Sequence, residues 1–121
     1  MSKKVLFVDD SASMRKVLGI TLKKVGYDVE TAEDGLEAVS LLDKHRFDVI
    51  VTDLNMPNMN GIEFIKSAKC HPNNKFAPII MLTTESSEEM RQQGQDAGAK
   101  VWIVKPFRPD KLLDVLKKVV G

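Results

Sequence analysis

Four short stretches of the chain are apolar at consecutive positions, which is the pattern of strands buried on both faces of a sheet. They cover residues 5–8, 49–51, 79–82 and 101–104. A fifth stretch alternates instead, because Tyr27, Val29 and Thr31 are separated by acidic residues. This period of two is typical of a half-exposed strand at the edge of a sheet. The chain is therefore predicted to contain five strands.

Between the strands, apolar residues recur at spacings of three and four, the period of an amphipathic helix. Four segments show it clearly: Met14, Val17, Leu18, Thr21, Leu22 and Val25; Leu36, Ala38, Val39 and Leu42; Ile62, Ile65 and Ala68; and Leu112, Leu113, Leu116, Val119 and Val120. Strands that alternate with helices at this spacing require right-handed crossovers. The sequence therefore predicts a doubly wound α/β domain, a five-stranded parallel sheet with helices on both faces.

A weaker helix is predicted over Glu88–Ala97, before the last strand. Its apolar seam consists of Met90 and Ala97 alone, and Gly94 lies in its middle. A glycine inside a helix costs roughly 1 kcal/mol relative to alanine, and a narrow seam buries little area to offset that cost. We expect this helix to be the most mobile of the five.

Composition narrows the class of protein. The 121 residues are 43% hydrophobic and 29% charged, the balance of one globular domain. Eighteen basic and seventeen acidic residues give a net charge of +1, so no positive field is available to hold a nucleic acid. No apolar run approaches the roughly 20 residues of a membrane span, and the first residues do not resemble a signal peptide. We expect a cytoplasmic protein without nucleic-acid or membrane partners.

The cysteine and histidine residues do not indicate a metal or redox site. Cys70 is the only cysteine, so an internal disulfide and a cysteine metal cluster are excluded. His45 and His71 lie far from the predicted strand ends and are expected to be surface or capping residues.

Chemistry-bearing residues follow each of the four consecutively apolar runs. They are, in chain order, Asp9 and Asp10; Asp53; Thr83 and Thr84; and Lys105. In an open parallel sheet the ligand site lies beyond the carboxyl ends of the strands, where the strand order reverses. Taken singly, Asp10 could cap a helix and Asp53 could be a turn residue. Their convergence in one crevice is not explained by capping or turns.

Three clustered carboxylates need a compensating charge, because two of them about 4 Å apart repel by roughly 4 kcal/mol at an effective dielectric near 20. Carboxylate and carbonyl oxygens suit Mg²⁺, and the absence of nearby Cys or His argues against zinc. Mg²⁺, a nucleophile and further donors are the parts of phosphoryl transfer, in which a carboxylate can form an aspartyl phosphate. Asp53, on the middle strand between the acidic pair and Lys105, is the predicted nucleophile, with Thr83 donating to a phosphoryl oxygen.

Several motifs together resemble the receiver domain of two-component response regulators, in order and over essentially the whole chain. They are Asp9-Asp10; Asp53-Leu54-Asn55-Met56-Pro57 with Gly61; Leu82-Thr83; and Lys105-Pro106-Phe107. The combination is highly specific, although each motif alone is weak. A receiver of this length without an output domain is similar to the stand-alone chemotaxis regulators of the CheY-like class. The resemblance implies a flavodoxin-like strand order of 2-1-3-4-5 within a single receiver domain over residues 1–121.

The resemblance also implies roles for the site residues. Asp53 would be the phosphoacceptor and a metal ligand, and Asp10 would bind Mg²⁺ directly. Asp9 would act through water, and Asn55 would offer its backbone carbonyl to the metal. Thr83 and Lys105 would hold the phosphoryl group, and the Lys105–Pro106 peptide bond would be cis.

The implied protein is a signalling switch rather than an enzyme, although it would assist its own phosphorylation and dephosphorylation. Its phosphodonor would be a CheA-like sensor histidine kinase, and its target a downstream protein such as a flagellar motor switch component. A dedicated phosphatase is a further candidate partner. Movement of Thr83 would bias Trp102 and the weak helix toward a partner-binding state.

The sequence departs from the common family pattern at two positions. Trp102 occupies a position where the family usually has Tyr or Phe, so it is either the moving aromatic of the switch or a static ring at the sheet edge. Thr84 replaces the usual Ala or Gly, which would narrow access to the phosphoryl group. The expected partner face does not identify a partner; it presents Ser86, Glu88, Arg91, Lys100, Trp102 and Val115.

Three alternatives remain. A single-domain phosphorelay intermediate would use the same site. A haloacid-dehalogenase-type phosphatase would carry its nucleophile after the first strand and a second Asp two residues later, where this chain has Asn55 after Asp53, and would commonly add a cap domain. A flavin-binding electron carrier would need a first loop of Ser, Thr and Gly, whereas Asp9 and Asp10 would repel its phosphate.

Overall fold

The computed structural model describes residues 3–84 and 87–120, in which five strands alternate with five helices. The elements are β1 Lys4–Val8, α1 Ala12–Lys24, β2 Asp28–Ala32, α2 Gly35–Lys44, β3 Val49–Asp53, α3 Gly61–Lys69, β4 Ile79–Thr83, α4 Glu88–Ala97, β5 Val101–Val104 and α5 Pro109–Val120. The five predicted strands and five predicted helices are confirmed, and α4 has the predicted bounds.

The five strands form one parallel sheet in the order β2-β1-β3-β4-β5, which confirms the predicted topology. The order reverses between β1 and β3, so the loops that follow these two strands diverge and leave a crevice at their carboxyl ends.

Two hydrophobic cores lie on opposite faces of the sheet. One contains Ala38 and Leu42 of α2 together with residues of α3, and Met90 and Ala97 of α4 pack against it. The other contains residues of α1 and α5, including Leu18 and Leu116. All residues of β3 and β4 are buried, because both faces of these central strands are covered by helices. The prediction from their consecutive apolar runs is confirmed.

The predicted apolar faces of the outer elements are partly wrong. Thr31 of β2 is exposed, whereas Val29 and Ala32 are buried in different cores, because helices contact this edge strand from both sides of the sheet. Val17 of α1 and Val25, the C-cap of this helix, are 53% and 55% exposed, and the buried residues of α1 are Leu18, Gly19 and Leu22. Fewer residues of α1 are therefore buried against the sheet than its pattern of apolar residues predicts.

Polar side chains cap the N-termini of α1, α2, α3 and α4; at the start of α4, Ser87 accepts a hydrogen bond from the Met90 N–H. Ser11 accepts a hydrogen bond from the Met14 N–H at the start of α1. At the start of α2, Asp34 accepts a hydrogen bond from the Glu37 N–H. Asn60 forms a reciprocal capping box with Glu63 at the start of α3. Asn60 is thus the N-cap of α3.

The two histidines lie at a helix end and in a loop, as predicted, and the cysteine lies at a helix end. His45 is the C-cap of α2, the Nε2 atom of His71 lies 2.9 Å from the Asp43 carboxylate, and Cys70 is exposed at the end of α3. Within residues 3–84 and 87–120, no helix has the length and apolar character needed to cross a membrane.

Candidate functional site

Three of the predicted site residues meet at one ammonium group. The Nζ atom of Lys105 lies 2.9 Å from Oδ2 of Asp9 and 3.1 Å from Oδ2 of Asp53. Asp10 completes the cluster, because carboxylate oxygens of Asp9, Asp10 and Asp53 all lie within 4.8 Å of one another. Residues that are separated by up to 96 positions in sequence are therefore in direct contact.

The parallel sheet explains this convergence. Asp9 directly follows β1 and Lys105 directly follows β5, while Asp53 and Thr83 are the last residues of β3 and β4 rather than the first residues beyond them. The Lys105 N–H donates to the Thr83 carbonyl at 2.7 Å, so the lysine leaves its strand next to the threonine. The carboxyl ends of four neighbouring strands thus bring the four side chains to one edge of the sheet.

Burial differs sharply between the two adjacent aspartates. Asp9 is 1% exposed, and besides its contact with Lys105 its Oδ1 atom accepts a hydrogen bond from the Ser11 N–H at 2.8 Å. The guanidinium of Arg15 donates to the Asp9 carbonyl at 2.6 Å. Asp10, in contrast, is exposed. The protein therefore holds Asp9 firmly from within, while the Asp10 carboxylate is accessible from solvent.

Asp53 is also fixed by a backbone donor. Its Oδ1 atom accepts a hydrogen bond from the Leu54 N–H at 2.7 Å, and the side chain is largely buried. This bond leaves Oδ2 directed toward Lys105. The carboxylate therefore has one orientation relative to the lysine and to the other two acids.

The cluster contains more negatively charged groups than positively charged ones. Burial raises the pKa of Asp53 above its ordinary value; the charge and hydrogen bond of Lys105 oppose this effect, and the charge of Asp9 adds to it. For Lys105, burial favours the neutral amine, but hydrogen bonds and charges from Asp9 and Asp53 outweigh it and raise the pKa. One ammonium thus faces three carboxylates. A hard divalent cation with oxygen ligands fits this donor set.

The loop after β3 is drawn tightly against the site. The Gly61 N–H donates to the Leu54 carbonyl at 2.7 Å, and a Cβ atom at position 61 would overlap the Asp53 carbonyl oxygen. Asn58 adopts a positive φ of 71°, which Asn tolerates better than most residues, and its Nδ2 atom donates to Asp34 at 2.9 Å. Asn55 is exposed in this loop, two residues beyond Asp53.

Sequence reasoning missed the supporting residues of the site. The Ser11 N–H and the Arg15 guanidinium contact Asp9 from within the same loop and the start of α1, whereas the bond between Asn58 and Asp34 joins two separate loops. The Lys105–Pro106 bond is cis, which confirms the expectation from the family resemblance.

Trp102 lies outside the acidic cluster. It is half-buried on β5 and packs against the core that contains α2 and α3. Of the expected partner face, Glu88, Arg91 and Lys100 are exposed and Val115 is half-buried, whereas Ser86 lies outside the described residues. Thr84 is exposed at the end of β4.

An apolar cleft of about 510 Å³ borders the site between α1 and the loop after β5. It shares Lys105 with the cluster, but its walls are otherwise formed mainly by residues such as Met14, Val17 and Phe107. The cleft is therefore distinct from the carboxylate crevice, which supplies the oxygen donors.

A doubly wound sheet with three carboxylates, a threonine and a lysine at its switch point defines the class of phosphoacceptor signalling domains. The family model for the response regulator receiver domain matches residues 5–117. The chain belongs to this family, which does not favour the phosphatase and flavin-carrier alternatives.

Several relatives that are similar over nearly the full length are chemotaxis proteins. A CheY homolog of Campylobacter jejuni is 42% identical over 120 residues, covering 98% of this chain and 92% of the relative. CheY1 of Helicobacter pylori is also 42% identical over 120 residues, covering 98% of this chain and 97% of the relative.

Solved structures agree with this likeness. The chemotaxis response regulator CheY4 of Vibrio cholerae is 51% identical with a TM-score of 0.93, covering 98% of this chain and 99% of that one. The receiver domain of the sensor histidine kinase PA1611 from Pseudomonas aeruginosa is 27% identical with a TM-score of 0.90, covering 100% and 99% of the two chains. That structure has a magnesium ion coordinated in the active site cleft.

Proposed function

We propose that this chain is a phosphorylation-activated switch in chemotaxis. It accepts a phosphoryl group on Asp53 from a histidine kinase in a Mg²⁺-dependent reaction, and then changes its affinity for a downstream protein. The observation that carries this proposal is the position of the Asp53 carboxylate, 3.1 Å from the Lys105 ammonium and within 4.8 Å of both acids of the pair. The chemotaxis assignment is supported by the CheY relatives.

The metal site consists of oxygen donors. Asp10, Asp53 and the backbone carbonyl of Asn55 would hold Mg²⁺, and Asp9 would act through water. The exposure of Asp10 and the two protein donors already on Asp9 support this division. When bound, the cation neutralises charge on the transferred phosphoryl oxygens.

The protein's own residues orient the transfer. The Leu54 N–H holds the Asp53 carboxylate in place, so that it attacks the phosphorus of the kinase phosphohistidine, where an O–P bond forms as the N–P bond breaks. Lys105 and the Thr83 hydroxyl then bind phosphoryl oxygens. Lys105 already contacts the Asp53 carboxylate before the reaction, and such preorganised contacts stabilise charge in a transition state.

Transfer of the phosphoryl group also changes what Lys105 contacts. Its ammonium contacts the carboxylates of Asp9 and Asp53 in this structure, and a phosphoryl group on Asp53 offers new oxygens nearby. Thr83 follows the same group, and the displacement is passed through β4 and β5 to Trp102 and α4. The switch acts by shifting a population between two states of this face.

The implied partners follow from this chemistry. A CheA-like kinase supplies the phosphoryl group, a downstream protein such as a flagellar motor switch component binds the activated face, and a phosphatase is a further candidate. The protein acts in the cytoplasm and assists its own phosphotransfer and dephosphorylation without turning over a separate substrate.

Complementation in the native cell tests the chemotaxis role. Motile cells that lack the gene should fail to spread directionally in soft agar, and the wild-type gene should restore spreading. Asp53→Asn should not restore it, whereas Asp43→Asn, which changes an exposed acid outside the site, should. Normal spreading of the deletion strain, or rescue by Asp53→Asn, would contradict the proposal. In that case, transfer of the phosphoryl group onward to a histidine phosphotransfer protein would favour the phosphorelay alternative.

A further inference from the structure

The glycine in the middle of α4 lies directly beneath the indole ring of Trp102. A Cβ atom placed on Gly94 would be 2.6 Å from Cζ3 and 3.1 Å from Cε3 of that ring. Carbon atoms in contact are normally separated by about 3.5 to 4.0 Å. The ring therefore occupies the space that any other residue at position 94 would fill.

This contact lies at the centre of the attachment of α4 to the sheet. Gly94 is the buried residue of the helix, and the other apolar residues of its seam, Met90 and Ala97, are only partly buried. Trp102 pairs in register with Met81 of β4, and both side chains belong to the same core. The indole is thus wedged between the middle of α4 and the core.

We propose that Gly94 is a positioning residue that seats Trp102 and so couples β5 to α4. The unfavourable helix propensity of glycine is offset by ring contacts that only glycine permits at this distance. A ring that moves away removes the contact beneath Gly94, so the position of α4 depends on the side-chain conformation of Trp102. This last step, the transmission of the signal, rests on the proposed function.

Stability measurements test, without phosphorylation, whether Gly94 positions the Trp102 ring. Gly19, which is buried within α1, is the matched control, because a Cβ atom there would meet no atom within 4 Å. Gly19→Ala should raise the folding equilibrium constant about fivefold through helix propensity, whereas Gly94→Ala should lower it. An increase for Gly94→Ala as large as that for Gly19→Ala would overturn the proposal.

A variant without the indole ring tests whether the effect of Gly94→Ala depends on that ring. In Trp102→Val, which keeps a strand-favouring residue but removes the indole, Gly94→Ala should become stabilising, about as much as Gly19→Ala is in the wild type. A Gly94→Ala effect of the same sign with and without the ring would contradict a specific contact between the two residues.

Fluorescence provides a readout that does not depend on the Trp102→Val variant folding. Trp102 is the only tryptophan, so emission reports this ring alone. Gly94→Ala should shift the emission to longer wavelength and increase quenching by acrylamide, because the displaced indole is more exposed. Gly19→Ala should change neither property. An unchanged emission in folded Gly94→Ala would contradict the proposed role of Gly94 in positioning the Trp102 ring.

Phosphorylation then tests the coupling. Wild-type protein and Gly94→Ala are incubated with a small acyl-phosphate donor and Mg²⁺, while intact mass follows the phosphoryl adduct and fluorescence follows Trp102. Both proteins should form the adduct, but the fluorescence change of the wild type should be reduced in Gly94→Ala. Equal changes, or no change in phosphorylated wild type, would overturn the coupling. Absence of any wild-type adduct would instead contradict the proposed function and leave the stability test of the seat intact.

Discussion

Lys105 has to balance more negative charge than one ammonium can neutralise. It contacts two buried carboxylates at about 3 Å, and the third acid, Asp10, lies in the same cluster. Ion pairs in such partly buried positions gain attraction but lose hydration, so their net contribution to folding is small. The cluster is therefore better understood as a binding site than as a source of stability.

The raised pKa of Asp53 predicts that its charge opposes folding in the absence of metal. A group whose pKa is higher in the folded state favours folding at low pH, and this contribution is lost as the pH rises through the raised pKa. In chelator at pH 7, Asp53→Asn should therefore be more stable than wild type. The gain should shrink as the pH falls toward the ordinary value of 3.8.

Urea unfolding across this pH range measures the effect. Asp114→Asn, which alters an exposed acid on α5, is the control and should change stability little at any of these pH values. If metal-free Asp53→Asn were less stable than wild type at pH 7, the ion pair with Lys105 would outweigh the burial of the carboxylate, contrary to our expectation.

At the scale of elements, α2 depends on a charged cap. Asp34 accepts a hydrogen bond from the Glu37 N–H at 2.8 Å and another from Asn58 at 2.9 Å. These bonds, that of Glu37 first, lower the pKa of Asp34. A group with a depressed folded pKa stabilises the protein above its ordinary pKa, and the contribution is lost as the pH falls through the depressed value.

Replacement of Asp34 by alanine should therefore destabilise the protein by about 1 kcal/mol at pH 7. The difference from wild type should narrow as the pH falls below 3.8. Asp34→Asn, which retains a capping oxygen, should keep most of the stability at pH 7. Chemical unfolding of the three proteins checks this prediction, and an alanine variant as stable as wild type would contradict it.

A buried asparagine connects the end of α2 to the loop before β4. The Phe47 N–H donates to Oδ1 of Asn74 at 2.8 Å, while Nδ2 donates to the carbonyls of Leu42 and His45 at 3.0 Å. Asn74→Ala would leave these backbone groups without the partner that the side chain provides. We expect a loss of about 2–3 kcal/mol.

The neighbouring Asn73 provides the matched control. It is exposed, and its hydrogen bond to His71 uses the backbone N–H, so Asn73→Ala should be nearly neutral. Equal effects of the two substitutions on the free energy of unfolding would show that the Asn74 side chain does not join the segments.

The helices and strands could be predicted from the sequence more completely than the directions in which their side chains face. Consecutive apolar residues identify β3 and β4 because both faces of a central parallel strand are buried. The same reasoning does not show how a helix is rotated on the sheet, so Val17 and Val25 appear apolar in the sequence but are exposed. Asn74 and the pair of Gly94 and Trp102 were missed for a related reason. The contacts of Asn74 join segments far apart in sequence, and that of Gly94 with Trp102 depends on how α4 packs against β5.

At the scale of the whole molecule, the fold determines the site. Asp9, Asp53, Thr83 and Lys105 could be predicted to converge because parallel strands bring their carboxyl ends to one edge. Which acid of the pair is buried could not be predicted, because Asp9 and Asp10 are adjacent and their contacts are set by Ser11 and Lys105. The structure adds the burial of Asp9 and the exposure of Asp10.

Binding of Mg²⁺ should stabilise the whole domain. A ligand present at about 100 times its dissociation constant stabilises the folded state by about 2.7 kcal/mol. Thermal unfolding of wild type should therefore shift upward with MgCl₂ relative to NaCl of equal ionic strength. Asp10→Asn and Asp53→Asn should lose most of this shift. An equal shift in Asp10→Asn would contradict its role as a direct ligand.

Intact-mass spectrometry after incubation with a small acyl-phosphate donor tests the central claim most directly. We predict one phosphoryl adduct in wild type with Mg²⁺, none in chelator, and none in Asp53→Asn, while Asp114→Asn behaves as wild type. Absence of an adduct on folded, Mg²⁺-bound wild type, or an adduct that persists in Asp53→Asn, would contradict the assignment of Asp53 as the phosphoacceptor.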